Sequence, residues 1–147
     1  MLSRWRGLAV VGMVFGLAGC WSSGSSSPTT PTAPAAASSP VGPTWRLTSL
    51  DGQAVGAGTT ITAEFTSEDR VAGSSGCNRY MGGARAEAGR LAVTPLASTM
   101  MACEPDVMAQ ETRYLATLQA ATRYAVAGEE LRLGTDANVA TLVYTSR

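Results

Sequence analysis

The side chains with the most obvious chemical potential are the thiols of three cysteines, Cys20, Cys77 and Cys103. Cys77 stands within GSSGCNRYMGG, residues 73–83, where Asn78 and Arg79 follow it directly. A catalytic thiol needs a neighbouring base, or a cation that stabilises the thiolate. The 147-residue chain contains no histidine, and the Arg79 guanidinium cannot accept a proton. The sequence therefore excludes Cys-His and Ser-His-Asp arrangements.

Cys77 and Cys103 remain as an even pair once Cys20 is assigned to the lipid anchor described below. In an exported protein such a pair favours a disulfide. On the chain-entropy model, a bridge of this span stabilises the fold by about 3–4 kcal/mol. A redox-active pair of thiols and covalent catalysis by Cys77 are the alternatives.

The composition excludes or leaves unsupported several other chemistries. Zinc sites need more Cys and His than this chain has, and a chain without lysine cannot form a lysine Schiff base. No Gly-rich phosphate loop ending in Lys-Ser/Thr is present. Acidic residues do fall in predicted turns, without the spacing of an EF-hand: Glu68, Asp69, Glu129, Glu130 and Asp136. We interpret these carboxylates as solvated surface and predict no enzyme, no cofactor and no metal.

The first 19 residues are predicted to be a lipoprotein signal peptide. Arg4 and Arg6 give a positive start, and the uncharged, mostly apolar stretch that follows is too short to span a bilayer. Residues 17–20, LAGC, resemble the bacterial lipobox, whose cysteine receives a diacylglyceryl group. Two or more acyl chains on Cys20 would anchor the protein stably. Trp21 replaces the Asp of the inner-membrane retention signal, which favours the outer membrane, facing the periplasm in a Gram-negative cell.

Residues 20–43 are predicted to be a disordered tether that begins at the lipidated cysteine. The 23 residues from 21 to 43 include 7 Ser, 5 Pro, 4 Ala, 3 Thr and 2 Gly, and they carry no charge. Such a composition buries too little apolar surface to offset its ordering entropy.

Residues 44–147 are predicted to form one domain, mostly β with a single helix. Apolar and polar residues alternate with period two in short segments, which is typical of half-buried strands. These segments are TWRLTSL (44–50), TITAEFT (60–66), RLAVTP (90–95), RYAVAG (123–128), ELRL (130–133) and ATLVYT (140–145). Turn residues separate them, among them Asp51-Gly52 and Ala88-Gly89.

Residues 104–121 break this rhythm and predict an amphipathic helix. Pro105 suits the first helical position, and apolar residues recur at spacings of three and four. Glu111 alone is out of place on the apolar stripe, and we expect it at the edge of that stripe. The domain is therefore predicted to be α+β: a small curved antiparallel sheet or barrel with one helix packed on it.

The domain resembles the META/HslJ family of bacterial envelope proteins. Residues 75–82, SGCNRYMG, are similar to the family's SGCNxYxG motif, and residues 96–103, LASTMMAC, are similar to its LxSTxMAC motif. Met100 stands where a basic residue is expected. The resemblance implies a compact, barrel-like, β-rich fold with one helix in exported and often lipid-anchored proteins. It also implies an association with stress or antibiotic tolerance, and no established catalytic activity.

This resemblance favours a scaffold role for residues 73–83, as a turn locked by the disulfide. Glycines on both sides permit a tight turn, and Asn78 is expected to satisfy local backbone groups. Tyr80 is expected to cap the core, and Arg79 to pair with a carboxylate. Recognition of a partner by Asn78, Arg79 and Tyr80 is the functional alternative.

The leading hypothesis is a non-enzymatic envelope lipoprotein that binds another envelope component or buffers the envelope under stress. An inhibitor of a secreted hydrolase (a lysozyme or a protease) is the second, and a carrier of a small apolar ligand is the third. Without Arg4 and Arg6, nine arginines face eleven acidic residues, which excludes the basic face of a nucleic-acid binder. The expected partners are the membrane, through Cys20, and an unidentified envelope protein or ligand, with the protein itself a monomer.

Overall fold

The computed structural model describes residues 38–138 and 140–146. The predicted signal peptide, Cys20 and the tether as far as residue 37 lie outside the described residues, so these assignments stay predictions. Within the described part, no helix is both long and apolar enough to cross a bilayer.

The strands form an antiparallel barrel. They are β1 (Thr44–Leu50), β2 (Gln53–Ala54), β3 (Thr62–Thr66), β4 (Arg70–Ser74), β5 (Arg79–Glu87), β6 (Arg90–Val93), β7 (Ala97–Ser98), β8 (Arg123–Ala127), β9 (Glu130–Gly134) and β10 (Leu142–Thr145). The order β1-β3-β4-β5-β6-β8-β9-β10 returns to β1 and closes a ring of eight strands. Two-residue strands β2 and β7 are additions on β1 and β5. The predicted mostly-β fold with one helix is confirmed.

Two tight turns follow directly from the sequence. Asp51 and Gly52, between β1 and β2, have φ values of 52° and 78°, and Ala88 and Gly89, between β5 and β6, have 49° and 78°. Two successive positive φ values define a type I′ turn, whose twist matches that of the flanking strands. The predicted turns at both pairs therefore set the register of their hairpins.

The one helix among the described residues, α1 (Pro105–Ala120), lies within one residue of its predicted bounds at each end. It contacts β9 and β6, the strands on either side of β8, and β6 pairs with β8 in register only at Arg90 and Arg123. The Gln119 side chain accepts a hydrogen bond from Leu96 N over 3.2 Å. The helix therefore packs against the part of the barrel formed by β6, β9 and the segment after β6.

Alternating strand residues and one face of the helix fill the interior. The largest fully buried side chains are Trp45, Tyr114, Tyr144, Phe65, Leu50, Ile61, Leu118, Leu131, Leu133, Leu142, Val71 and Asn78. Burying one large apolar side chain is worth about 1.5–3 kcal/mol, so this set drives folding. Asn78 is the exception among them, and its burial needs a separate reason.

The folded region begins before the predicted boundary at residue 44. Trp45 Nε1 donates to Pro40 O over 2.7 Å, and Val41 forms a parallel bridge with Phe65. The indole N–H of a buried Trp needs an acceptor, and Pro40 supplies it. The tether prediction is therefore corrected at its end: residues 40–43 belong to the domain.

Residues 73–83 form mainly a β-hairpin rather than a turn. Strand β4 ends at Ser74 and β5 begins at Arg79, so only residues 75–78 connect them. Gly82, expected to permit the turn, lies within β5, where a Cβ would come within 2.7 Å of Leu96 Cδ2. The alternation pattern misses β4 and β5 because glycine and alanine occupy several inward positions that large apolar side chains usually fill.

Candidate functional site

The β4–β5 turn, residues 75–78, carries the cysteine of the first motif. Ser75 N donates to Asn78 O over 2.8 Å, and Gly76 adopts a φ of 113°, which favours glycine. Cys77 is bonded to Cys103, with 6.1 Å between their Cα atoms. The bridge therefore joins the turn to the segment that precedes α1, and it is formed by the predicted pair of cysteines.

The Asn78 side chain is 2 % exposed and uses both ends of its amide. Its Oδ1 accepts from Met101 N and from Thr99 Oγ1, each over 2.7 Å. Its Nδ2 donates to Met101 O over 3.2 Å and to Glu111 Oε1 over 2.8 Å. Since Oδ1 faces donors and Nδ2 faces acceptors, the amide orientation is determined. Asn78 fastens residues 99–101 to the turn, and this buried amide cannot take part in recognition.

Glu111 is the site residue that sequence reasoning misplaced. It is 5 % exposed rather than at the edge of the helical stripe. Its Oε2 accepts from Ser75 Oγ over 2.7 Å and from Asn78 N over 2.8 Å. Burial by itself raises the pKa of Glu111, but the hydrogen bonds from Ser75 and Asn78 outweigh burial and hold that pKa below its usual 4.5. A charged residue inside an apolar stripe was the signal that could have located it.

We call these residues the Asn78–Glu111 cluster: Ser75, Asn78, Thr99, Met101 and Glu111. Every buried side-chain nitrogen or oxygen in the described part of the chain has a hydrogen-bond partner. A group that acts on a substrate needs an available lone pair or proton, whereas these groups are occupied by one another. The cluster is therefore arranged to hold the turn, the segment before the helix and the helix itself together.

A chain of tyrosine hydroxyls crosses the interior beside this cluster. Tyr80 OH donates to Thr62 O over 2.9 Å and lies 2.7 Å from Tyr114 OH, which lies 3.2 Å from Tyr144 OH. Because the Thr62 carbonyl can only accept, Tyr114 must donate to Tyr80, and Tyr144 must donate to Tyr114. Burial raises the pKa of all three tyrosines above the usual value for a phenol. Tyr80 is thus part of the core, as expected.

The acceptor at the end of this chain depends on Gly73. Ser74 N donates to Thr62 Oγ1 over 3.1 Å, which leaves the Thr62 carbonyl for Tyr80. A Cβ on Gly73 would lie 2.0 Å from that carbonyl oxygen and 3.2 Å from the Tyr80 ring. Only glycine therefore permits this close approach of strand and ring.

Arg79 is the one residue of the predicted recognition set that faces solvent. No ion pair within the described residues involves it, which corrects the expected pairing with a carboxylate. It lines a shallow surface groove of about 370 Å³. We call it the β5 groove; it is lined by Ala72, Arg79, Tyr80, Met81, Ala97, Ser98 and Thr99. Met81 is 52 % exposed, so the groove combines a cation with apolar surface.

The other acidic candidates do not join this site. Asp136 forms an ion pair with Arg123, whose hydrogen bond lowers the pKa of the aspartate, and Glu130 pairs with Arg132 over 2.6 Å. Asp136, Glu68 and Asp69 are exposed. Across residues 38–138 and 140–146, no three His, Cys, Asp or Glu side chains are grouped closely enough to bind a metal.

Comparisons with known proteins agree with this geometry. The sequence profile of the META domain matches residues 39–147. The chain belongs to the META domain family. Its match begins at residue 39, next to Pro40, where the folded region of this META domain begins. No curated protein matches the chain significantly.

Two solved structures resemble the META domain described here. An NMR structure of a protein from Burkholderia xenovorans is 28 % identical, with a TM-score of 0.57, over 82 % of this chain and 98 % of its own. A second NMR structure is 25 % identical, also with a TM-score of 0.57, over 71 % of this chain and 88 % of its own. Neither relative brings an assigned activity.

Proposed function

We propose that this protein is a lipid-anchored component of the bacterial cell envelope whose META domain binds another envelope component without performing chemistry on it. One observation carries the proposal: the buried polar groups of the SGCN motif bond to one another, while Arg79 and Met81 beside them face solvent. The motif then serves as the support of a binding surface, and the β5 groove is that surface.

The proposed anchor places this surface near the membrane. The sequence LAGC ending at Cys20 supports lipidation, and the segment from 21 to about 40 supports a tether. Such a tether spans roughly 25–30 Å as a coil and roughly 70 Å when extended. Either length lets the META domain stand clear of the lipid head groups while it reaches other envelope components.

The alternative of an apolar ligand carrier has less support. Eight-stranded barrels can hold a small ligand only when side chains leave the interior open. Here Trp45, Tyr114, Tyr144 and Phe65 are all buried in it. A binding role at the surface requires no such cavity.

The test is a deletion of the gene in its bacterial host, screened against envelope stresses and rescued with variants. Rescue is expected to need both the anchor, removed by Cys20→Ser, and the groove cation, removed by Arg79→Ala. Arg85→Ala is the matched control, because Arg85 is also exposed on β5 but pairs with Glu87 over 3.0 Å. Full rescue by both the Cys20 and Arg79 variants would refute the proposal.

Protein stability must be measured alongside the phenotype. Arg79 makes its hydrogen bonds through backbone atoms, with its N donating to Thr99 Oγ1 over 3.2 Å and its O accepting from Thr99 N over 3.0 Å. Arg79→Ala keeps both bonds, so the free energy of unfolding measured in urea should stay within about 0.5 kcal/mol of wild type. A loss of rescue that tracks a loss of stability would instead assign Arg79 to the scaffold.

A further inference from the structure

The segment from Thr99 to Cys103, here called the 99–103 loop, connects β7 to α1 and exposes the apolar side chain of Met100 to solvent. Met100 is 97 % exposed and Met101 is 61 % exposed. A large apolar residue with almost no internal contact contributes nothing to the core. Its side chain is therefore available to a partner.

The loop is held in one conformation from both sides of Met100. Thr99 N donates to Arg79 O over 3.0 Å, and Asn78 Oδ1 accepts from both Thr99 Oγ1 and Met101 N over 2.7 Å. Asn78 Nδ2 also donates to Met101 O. The Cys77–Cys103 bridge then fixes the end of the loop. These hydrogen bonds and the disulfide all connect the loop to the β4–β5 turn, which is itself fixed by the buried Glu111 carboxylate.

Met100 differs from both neighbours in its backbone as well as its side chain. Thr99 N and Met101 N both donate internally, whereas neither the N–H nor the C=O of Met100 makes an internal hydrogen bond in the described part of the chain. A free N–H and C=O flanking an exposed side chain are what an extended peptide needs to pair with the strand edge of a partner's cleft. The loop combines all three features in one residue.

We propose that the 99–103 loop is the inhibitory loop of a serine peptidase inhibitor, with Met100 entering the apolar primary pocket of a secreted peptidase. This inference rests on the proposed binding function and names its partner by chemistry. The Met100 N–H and C=O pair with the backbone of the cleft and with its oxyanion hole, and the unbranched thioether fills the pocket. Because the loop is ordered before binding, association does not pay about 0.5–1.5 kcal/mol per side chain to order it.

The same hydrogen bonds and disulfide explain how such a loop resists cleavage by the peptidase. When the peptidase serine attacks the Met100 carbonyl carbon, a serine ester forms, the bond to Met101 N breaks, and the serine proton is transferred to that nitrogen. Met101 N remains held by Asn78, and the chain beyond it remains joined through Cys103. The amine therefore stays next to the ester, and its attack, which restores the peptide bond and the serine, competes with hydrolysis by water.

The experiment measures inhibition of chymotrypsin, subtilisin and trypsin by the full lipidated chain in mild detergent. Wild type is expected to inhibit chymotrypsin or subtilisin, whose pockets are apolar. Met100→Gly is expected to weaken that inhibition by at least about 30-fold, the loss typical of a hot-spot residue. Met100→Lys is expected to transfer inhibition to trypsin, whose pocket carries a carboxylate.

Two further variants separate the loop from the rest of the surface. Val41→Ala shortens another exposed apolar side chain, outside both the loop and the β5 groove, and is expected to leave inhibition unchanged. Thr99→Val removes the hydroxyl bonded to Asn78 and is expected to speed cleavage between Met100 and Met101, seen by mass spectrometry. Each variant is checked for a wild-type circular dichroism spectrum.

Three outcomes would overturn the inference. They are the absence of inhibition by both wild type and folded Met100→Lys, rapid cleavage of wild type as an ordinary substrate, and loss of inhibition in Val41→Ala. If any of them occurs while rescue of the deletion strain still requires Cys20 and Arg79, the binding function stands and only the peptidase partner is wrong.

Discussion

Replacing the buried carboxylate by its neutral isostere, Glu111→Gln, perturbs the site most directly. In the wild type, Glu111 Oε2 accepts from Ser75 Oγ and Asn78 N, and Oε1 accepts from Asn78 Nδ2. Glutamine offers one oxygen and one NH₂ group. Asn78 cannot rotate its amide to adapt, because its Oδ1 is occupied by Thr99 and Met101. One donor must therefore face another donor.

The expected cost follows from these contacts. Hydrogen bonds to a charged group contribute about 1.5–3 kcal/mol and neutral ones about 0.5–1.5 kcal/mol, so the two bonds that survive are weakened. The third is lost, and an unsatisfied buried donor costs about 1–3 kcal/mol. Relief from burying a charge offsets part of this sum. We expect Glu111→Gln to lower the free energy of unfolding by about 3 kcal/mol at pH 7, a large share of the stability of a small domain.

The same substitution predicts a change in the pH dependence of stability. The folded-state pKa of Glu111 lies below 4.5, which is close to the value expected in the unfolded chain. Between these two pKa values the unfolded chain holds a proton that the native state lacks, so the free energy of unfolding rises with pH there. This contribution is complete above the unfolded pKa and is lost as pH falls through the folded pKa. One group contributes a slope of at most about 1.4 kcal/mol per pH unit.

Urea unfolding, followed by the fluorescence of buried Trp45, measures both effects at pH 7 and in steps down to about pH 3. Wild type and Glu111→Gln should differ most at neutral pH and converge in acid. Glu64→Gln is the matched control, since Glu64 is exposed on the outer side of β3. The assigned role of the carboxylate would be refuted if Glu111→Gln lowered the free energy of unfolding by less than about 1 kcal/mol at pH 7. It would also be refuted if the loss of stability between pH 7 and about pH 3 were the same in wild type and Glu111→Gln.

Two predictions concern the neighbouring core and use the same unfolding measurement. Tyr114→Phe removes a hydroxyl that both accepts and donates a hydrogen bond, and should lower the free energy of unfolding by about 2 kcal/mol. Tyr144→Phe removes a hydroxyl that only donates within the chain, and should lower it by about 1 kcal/mol. Equal losses would contradict the assigned donor direction. Gly73→Ala places a Cβ 2.0 Å from a backbone oxygen and should cost at least about 3 kcal/mol. Gly58→Ala meets open space at a φ of 80° and should cost only about 1–2 kcal/mol, so similar losses at both glycines would refute the steric argument.

The sequence by itself determined the parts of this protein that depend on local periodicity and on residue counts. Alternation identified β1, β3 and most of the later strands, and spacings of three and four identified α1. Asp51-Gly52 and Ala88-Gly89 were recognisable as turns because each pair ends in a glycine, which adopts a positive φ without strain. With Cys20 assigned to lipid, Cys77 and Cys103 could pair only with each other. Each of these inferences uses information within a few residues, or a count over the whole chain.

Only the tertiary structure decided which polar groups meet. From the sequence, Glu111 was only a charged exception on an apolar helical stripe. In the structure, the turn formed by residues 75–78 supplies the hydrogen-bond donors that allow its carboxylate to be buried, and Asn78 lies 33 residues before Glu111 in the sequence. The alternation of apolar and polar residues did not predict strands β4 and β5, because glycines occupy the inward positions 73 and 82. At these positions other atoms, Thr62 O and Leu96 Cδ2, approach the backbone too closely for a side chain. Hydrogen-bond partners and steric limits of this kind are set by long-range packing, and no periodicity along the chain records them.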